Sequence, residues 1–118
     1  MKILVACLST GKGTWGHVNR ISQEGGFDKI ILLTNEYGKE NFTANEKTEV
    51  IVVNFKQGLK ELRDSIIEIL KQKIKEQEIA VNIVSGTGKE HTALISALLK
   101  SGLGMRFVAL TKDGIEEI

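Results

Sequence analysis

The chain has 118 residues, of which 42% are hydrophobic and 26% charged, a composition that suits one domain with a buried core and excludes a disordered chain. Lys and Arg total 16 against 15 Asp and Glu, so no global field draws DNA or RNA; direct DNA binding is not expected, and any polyanion needs a local site. The single cysteine, Cys7, excludes an internal disulfide and a cysteine-based metal cluster, and its place in an apolar run fits inert burial.

No apolar run approaches the ~20 residues of a membrane span. Met1-Lys2-Ile3-Leu4-Val5-Ala6 enters a strand without a signal-peptide cleavage pattern, so a cytoplasmic protein with no membrane partner is expected. Residues 3–8 form the first predicted strand. The polar turn Ser9-Thr10-Gly11-Lys12-Gly13-Thr14 follows, and a parallel sheet demands a crossover helix over 14–24, although Gly16 and three polar residues interrupt it. Residues 29–33 are a second strand, 35–48 a polar stretch with a short helix after Tyr37, and 50–53 a third strand. The strongest helix covers 59–77, where Leu59, Leu62, Ile66, Leu70 and Ile74 recur at spacings of three and four.

The apolar run 79–84 is a fourth strand, and it ends in a second polar turn, Ser85-Gly86-Thr87-Gly88-Lys89-Glu90-His91. A helix then runs from Gly88–Lys89 to a glycine cap at Gly102, with Ala93, Leu94, Ala97 and Leu98 toward the sheet. Ile95 and Leu99 widen its apolar face, which suits either a broad core contact or a subunit interface. Residues 105–110 are the fifth strand, and the tail 112–118 is too short for a second domain. Strand and helix alternation with right-handed crossovers gives a three-layer, Rossmann-like α/β domain over residues 1–118, with a mainly parallel sheet of about five strands.

In such a sheet, ligands bind beyond the carboxyl ends of the strands where the strand order reverses. With the first and fourth strands adjacent there, both polar turns open into one crevice whose N–H groups, hydroxyls and two lysines suit an anion or nucleotide. The P-loop pattern fails at both turns: Ile83 stands where its first Gly belongs and Glu90 follows Lys89, while Ala6 and Gly13 hold those places in the first turn. The dinucleotide pattern fares better. Gly11-Lys12-Gly13-Thr14-Trp15-Gly16 spells G-x-G-x-x-G, with Glu36 placed to read a ribose, so an NAD-type redox module is the first alternative. Against it, Ser9 and Thr10 separate the strand from Gly11, and Lys12, Trp15 and His17 crowd the turn. A non-catalytic structural or protein-interaction domain is the second alternative.

The first strand ending in Ala6-Cys7-Leu8-Ser9-Thr10-Gly11, and the turn Ser85-Gly86-Thr87-Gly88-Lys89 leading into an Ala- and Leu-rich helix, resemble the CARF domain, the Rossmann-like ligand-sensing domain of CRISPR-associated proteins. The resemblance covers most of the chain. It implies a homodimer whose turns surround a cyclic oligoadenylate, most often the four-membered ring, in type III CRISPR antiviral signalling. It puts the family's first-strand hydroxyl on Ser9 or Thr10 and its lysine after the fourth strand on Lys89. Some family members cleave the ring slowly and are called ring nucleases; most carry an effector domain, which these residues do not include. The effector pattern of Arg followed shortly by His is missing after Arg20, Arg63 and Arg106.

The expected site follows residue by residue. Ser9 and Lys89 are the candidates for ring cleavage, with Ser9 or Thr10 orienting a phosphate and Lys89 supplying charge. Thr10, Gly11, Lys12, Ser85, Gly86, Thr87, Gly88, Glu90 and His91 are the candidates for ligand contact, with helix capping the competing role for Ser85, Thr87 and Glu90. His17 and His91 suit either acid and donor work or packing, and Trp15 either stacking on a base or burial. No metal site or cofactor is expected, because no His, Cys and carboxylate cluster has ligand spacing and a ribose 2′-hydroxyl can attack its neighbouring phosphate once held in line.

Overall fold

The structure is a computed structural model, and it describes residues 1–8 and 11–118, apart from the side chain of Lys12. Its strands are β1 (Ile3–Cys7), β2 (Lys29–Thr34), β3 (Thr48–Val52), β4 (Glu78–Asn82), β5 (Gly104–Thr111) and β6 (Gly114–Glu117). Its helices are α1 (Trp15–Glu24), α2 (Glu36–Asn41), α3 (Leu59–Lys73) and α4 (Gly88–Lys100), with one 3-10 turn at Lys12–Thr14.

The six strands form one sheet in the order β3-β2-β1-β4-β5-β6. All pairings are parallel except the antiparallel β5–β6 hairpin. The chain starts in the middle, at β1, runs outward to β3, then crosses back to β4 on the other side of β1. That crossing makes the β1–β4 junction the point where strand order reverses. The pairing Leu4↔Ala80, Val5↔Val81, Ala6↔Asn82 sets the two carboxyl ends level.

Because β1, β2 and β4 are covered on both faces, their residues are apolar without alternation, and the pleat sends them to two different cores. Ile3, Val5, Cys7, Ile31, Leu33, Ile79 and Val81 meet Leu62, Ile66 and Leu70 of α3 and Ala93, Leu94, Ala97 and Leu98 of α4. Leu4, Ala6, Ile30, Leu32 and Ala80 meet Trp15, Val18 and Ile21 of α1 on the opposite face. The three expected layers are there, and the strongly periodic helix and the Ala- and Leu-rich helix lie together on one side.

Several boundaries differ from expectation. A sixth strand, not expected from the sequence, occupies the tail: Thr111-Lys112-Asp113-Gly114 turns the chain back, with Gly114 at φ 109°. Strand β4 stops at Asn82, two residues early, where its ladder with β1 ends. Helix α3 stops at Lys73; Ile74 keeps the apolar spacing and is buried, but its backbone is already extended. Helix α4 ends as expected. Gly102, at φ 72°, donates to the Leu99 carbonyl at 3.1 Å and Leu103 donates to Leu98 at 3.1 Å, the paired bonds of a Schellman cap.

Candidate functional site

The second turn is built from the start of α4. Thr87 sits at the N-cap with its hydroxyl accepting from the Glu90 N–H at 3.2 Å, while the Glu90 carboxylate accepts from the Thr87 N–H at 3.3 Å. This is a complete capping box, so Thr87 and Glu90 hold the helix end rather than reach outward. The N–H groups of Gly88 and Lys89 precede the first intrahelical bond of α4 and lie where the helix dipole favours an anion. His91 donates from Nε2 to the Ser85 carbonyl at 2.8 Å, closing the turn from behind, and Ser85 is buried beneath it.

Gly86 takes φ 113°, a region that L side chains rarely adopt. A Cβ there would come within 2.9 Å of His91 Nε2, 3.1 Å of a Glu90 carboxylate oxygen and 3.3 Å of Cys7 Cβ. The last contact matters for function. It shows the second turn packed directly on the end of β1, at the point where the strand order reverses. Burial, followed by the nearby Glu90 charge, pushes the Cys7 thiol up to about 12, which keeps it protonated and inert.

The first turn is only partly described. Ser9 and Thr10 lie outside the described residues, as does the Lys12 side chain, so the hydroxyl expected from β1 and one of the two lysines have no geometry here. Gly11 is exposed and the chain then enters the 3-10 turn. The Thr14 hydroxyl at the start of α1 is buried and has no hydrogen-bond partner among the described residues. Trp15 is a core residue, its ring 5.7 Å from Phe42 and 6.0 Å from Tyr37. That burial answers the stacking question at this position in favour of packing.

The dinucleotide pattern loses its physical reason. In that motif the third glycine lets helix and strand pack closely. Here Gly13 and Gly16 are exposed, have no positive φ, and a Cβ on either would meet nothing within 4 Å. Glu36 opens α2 and lines a cavity with Tyr37, Asn54 and Lys56, to which no described residue of the first turn contributes.

Lys89 reaches sideways. Its Nζ donates to the carbonyls of Phe55 at 3.1 Å and Gln57 at 2.5 Å, in the loop between β3 and α3. The ammonium therefore clamps that loop to the second turn. Sequence spacing gave no hint of this, because the partners are 34 and 32 residues away.

Asn82 was missed as well, and His17 takes the packing side of its two expected roles. Asn82, buried at the end of β4, donates from Nδ2 to the Val108 carbonyl at 2.8 Å and accepts on Oδ1 from Val84 N–H at 3.3 Å. His17 Nε2 accepts from the Leu110 N–H at 3.2 Å and lies 3.3 Å from Asn82 Nδ2. Since the Leu110 N–H can only donate, His17 Nε2 carries no proton and the ring is neutral with hydrogen on Nδ1. The signal for Asn82 was in the sequence: a lone amide closing an apolar run must find partners when buried.

Desolvation by burial lowers the His17 pKa from its ordinary value, in keeping with that neutral ring. Below about pH 6.5 the unfolded chain binds a proton at this position that the folded chain refuses, so stability from His17 is full above that pH and is lost as pH falls toward the folded pKa. The midpoint difference between wild type and His17→Gln is expected to be largest near neutrality and to shrink in acid. Urea titrations across that range check it, and a constant offset at every pH would remove the account.

Among the described residues no group of three His, Cys, Asp or Glu is gathered to hold a metal ion, and no helix is long and apolar enough to cross a membrane. The sequence matches no family model and no curated protein. Among solved structures, Enterococcus italicus Csm6 bound to cyclic hexa-2′-fluoro-hexa-dAMP matches with a TM-score of 0.69 over 95% of this chain, at 21% sequence identity. The two share a fold. The chain spans about a third of that Csm6 chain, 34% of its length. The Rossmann-like architecture that the CARF resemblance implied is thus the one found, with β1 and β4 paired side by side.

Proposed function

We propose that this chain is a CARF-type sensor that binds a cyclic oligoadenylate, the four-membered ring first, in the crevice after β1 and β4, within type III CRISPR antiviral signalling. The observation that carries the reading is the packing of Gly86 against Cys7 at the strand-order reversal. The Csm6 neighbour, bound to a cyclic hexa-2′-fluoro-hexa-dAMP, supports the ligand class. In this reading the N–H groups of Gly88 and Lys89 face a phosphodiester, and Lys89 adds charge by turning from the loop carbonyls or by using its remaining N–H. Ser9 or Thr10 orients the phosphate from the opposite side, and Gly11 and Lys12 complete that wall.

A second copy completes the ring's surroundings. Leu99 on α4 is 63% exposed and Val84 at the turn 42%, apolar surface that the monomer's core does not absorb. Slow ring opening belongs to the same proposal: a ribose 2′-oxygen bonds to the adjacent phosphorus and the 5′-oxygen leaves. The product carries a 2′,3′-cyclic phosphate and a 5′-hydroxyl; the 2′ proton goes to water, and water protonates the leaving oxygen. Lys89 stabilises the extra charge on phosphorus.

The test is a calorimetric and thermal-shift panel of cyclic tri-, tetra- and hexa-adenylate with NAD and ATP, beside a light-scattering mass at micromolar concentration. A mass of two chains and a midpoint rise with one ring are expected; at a hundred times its Kd a ligand adds about 2.7 kcal/mol. Lys89→Ala, checked for folding, should weaken that ring on the order of tenfold, the size of a partly sheltered charge-assisted contact. A midpoint rise with NAD and none with any ring would overturn the reading.

A further inference from the structure

Lys89 is the proposed crevice's main source of positive charge, yet the fold spends its ammonium elsewhere. Two of its three N–H groups go to main-chain carbonyls in the loop at 54–58, Phe55 at 3.1 Å and Gln57 at 2.5 Å. That loop joins the edge strand β3 to α3, and little else fastens it. Helix α3 opens on Gly58, which has no side chain with which to cap it. The Phe55 ring packs on the core beneath α3 and α4. Among the described residues, the loop's polar ties to neighbouring elements are the two Lys89 bonds and one from Gln57 Nε2 to Ser65 Oγ on α3, at 3.1 Å.

Two partners therefore compete for one ammonium. The carbonyls are neutral, whereas a phosphodiester carries a full charge, so at equal distance the phosphate attracts the lysine more strongly. A ring must still take the lysine from the loop, and its affinity falls by the fraction of molecules in which the lysine is released. By linkage, the ring then favours the unclasped loop by the same factor.

We propose that the Lys89 contact is autoinhibitory: it withholds the crevice's cation until a ring displaces the Phe55 and Gln57 carbonyls, and binding of the ring frees the loop. This rests on the crevice reading above. The freed segment carries Asn54, Phe55 and Lys56, which line the cavity at the carboxyl ends of β2 and β3, so the surface presented there changes with the ring. The signature is an inverted one. A substitution that weakens the loop's hold should tighten the ring, where a merely structural loop would lose affinity or be indifferent.

The test uses the full chain, calorimetry for affinity, amide hydrogen exchange for the loop, and cyclic tri-, tetra- and hexa-adenylate as probes. The Lys56 amide, which donates to Asn54 Oδ1 at 3.0 Å within the loop, is the reporter. Saturating the wild type with whichever ring binds should speed its exchange several-fold, and Lys89→Met without a ring should do the same. Ser65→Ala leaves Lys89 and the loop backbone intact and puts a better helix former into α3, so folding is safe. By removing the Gln57 anchor it should tighten the ring roughly two- to fivefold, what one neutral hydrogen bond can shift. A bound ring that leaves the Lys56 amide as slow as before, or one held no tighter by Ser65→Ala, would overturn this inference and leave the crevice reading standing, with Lys89 serving the ring through its third N–H. Binding of no ring removes both.

Discussion

Gly86→Ala should lose about 2–4 kcal/mol of stability and all measurable ligand affinity. The backbone alone contributes ~1–3 kcal/mol, because φ 113° is a conformation that Ala populates only under strain. The methyl group then meets His91 Nε2, Glu90 and Cys7 at 2.9–3.3 Å. Neither helical neighbour yields freely: His91 is bonded to Ser85, and Glu90 closes the capping box, a cap whose loss typically costs ~1 kcal/mol. The control is two residues away. Gly88 has open space around its Cβ position and no positive φ, so Gly88→Ala should be neutral or slightly stabilising, as Ala is in a helix. Thermal unfolding of both variants separates them by roughly 10 °C at ~3–5 °C per kcal/mol. Similar midpoints for the two would show that the turn does not depend on this backbone geometry.

The placement of that turn was legible because the sequence punctuates it sharply. An apolar run, a cluster of small polar residues and a new apolar period read as strand, turn and helix; the adjacency of the first and fourth strands was an expectation chosen among doubly wound orders, and the observed order bears it out. What the sequence hid falls into two physical kinds. The β6 hairpin carried a legible signal, Asp113-Gly114, but Ile115-Glu116-Glu117-Ile118 is too short and acidic for its period to stand out. The end of α3 carried none: the core wants an apolar residue at 74 whether the backbone is helical or extended, so the spacing runs through the boundary.

Side-chain destinations were less legible than backbone. Lys89 read as an anion ligand because it follows a glycine turn, yet its ammonium is held by two carbonyls of the loop before α3, which tertiary packing brings near. His17 read as suited to acid and donor work or to packing, and its place on α1 takes it to β5, where it accepts from the Leu110 N–H. Thr87 and Glu90 were rightly ambiguous, since a capping box and a phosphate cradle ask for the same residue types at the same helix end.

Gly38→Ala should be the costliest single methyl group on the opposite side of the site, again about 2–4 kcal/mol. Gly38 is buried in α2, and its added Cβ would fall on the Thr34 hydroxyl. Thr34 is completely buried and spends that hydroxyl on the Leu8 carbonyl, just before the first turn. Relief therefore combines overpacking against the Thr34 side chain, at ~1–3 kcal/mol, with loss of the Thr34–Leu8 bond, which leaves a buried carbonyl with one partner fewer at ~1–3 kcal/mol; the gain in helix propensity returns about 1 kcal/mol. A double-mutant cycle isolates the cause. In a Thr34→Ala background the space is already open, so adding Gly38→Ala should cost nothing or stabilise by up to ~1 kcal/mol, giving a coupling of several kcal/mol between two residues four apart. Additive effects in urea unfolding would mean that the methyl group meets something other than Thr34. The same variant ties fold to function: Leu8 closes β1 beside the proposed crevice and is held to β2 by this bond and by its own N–H on the Leu33 carbonyl, so Gly38→Ala, which removes the first of the two, should weaken the ligand further than its stability loss alone explains.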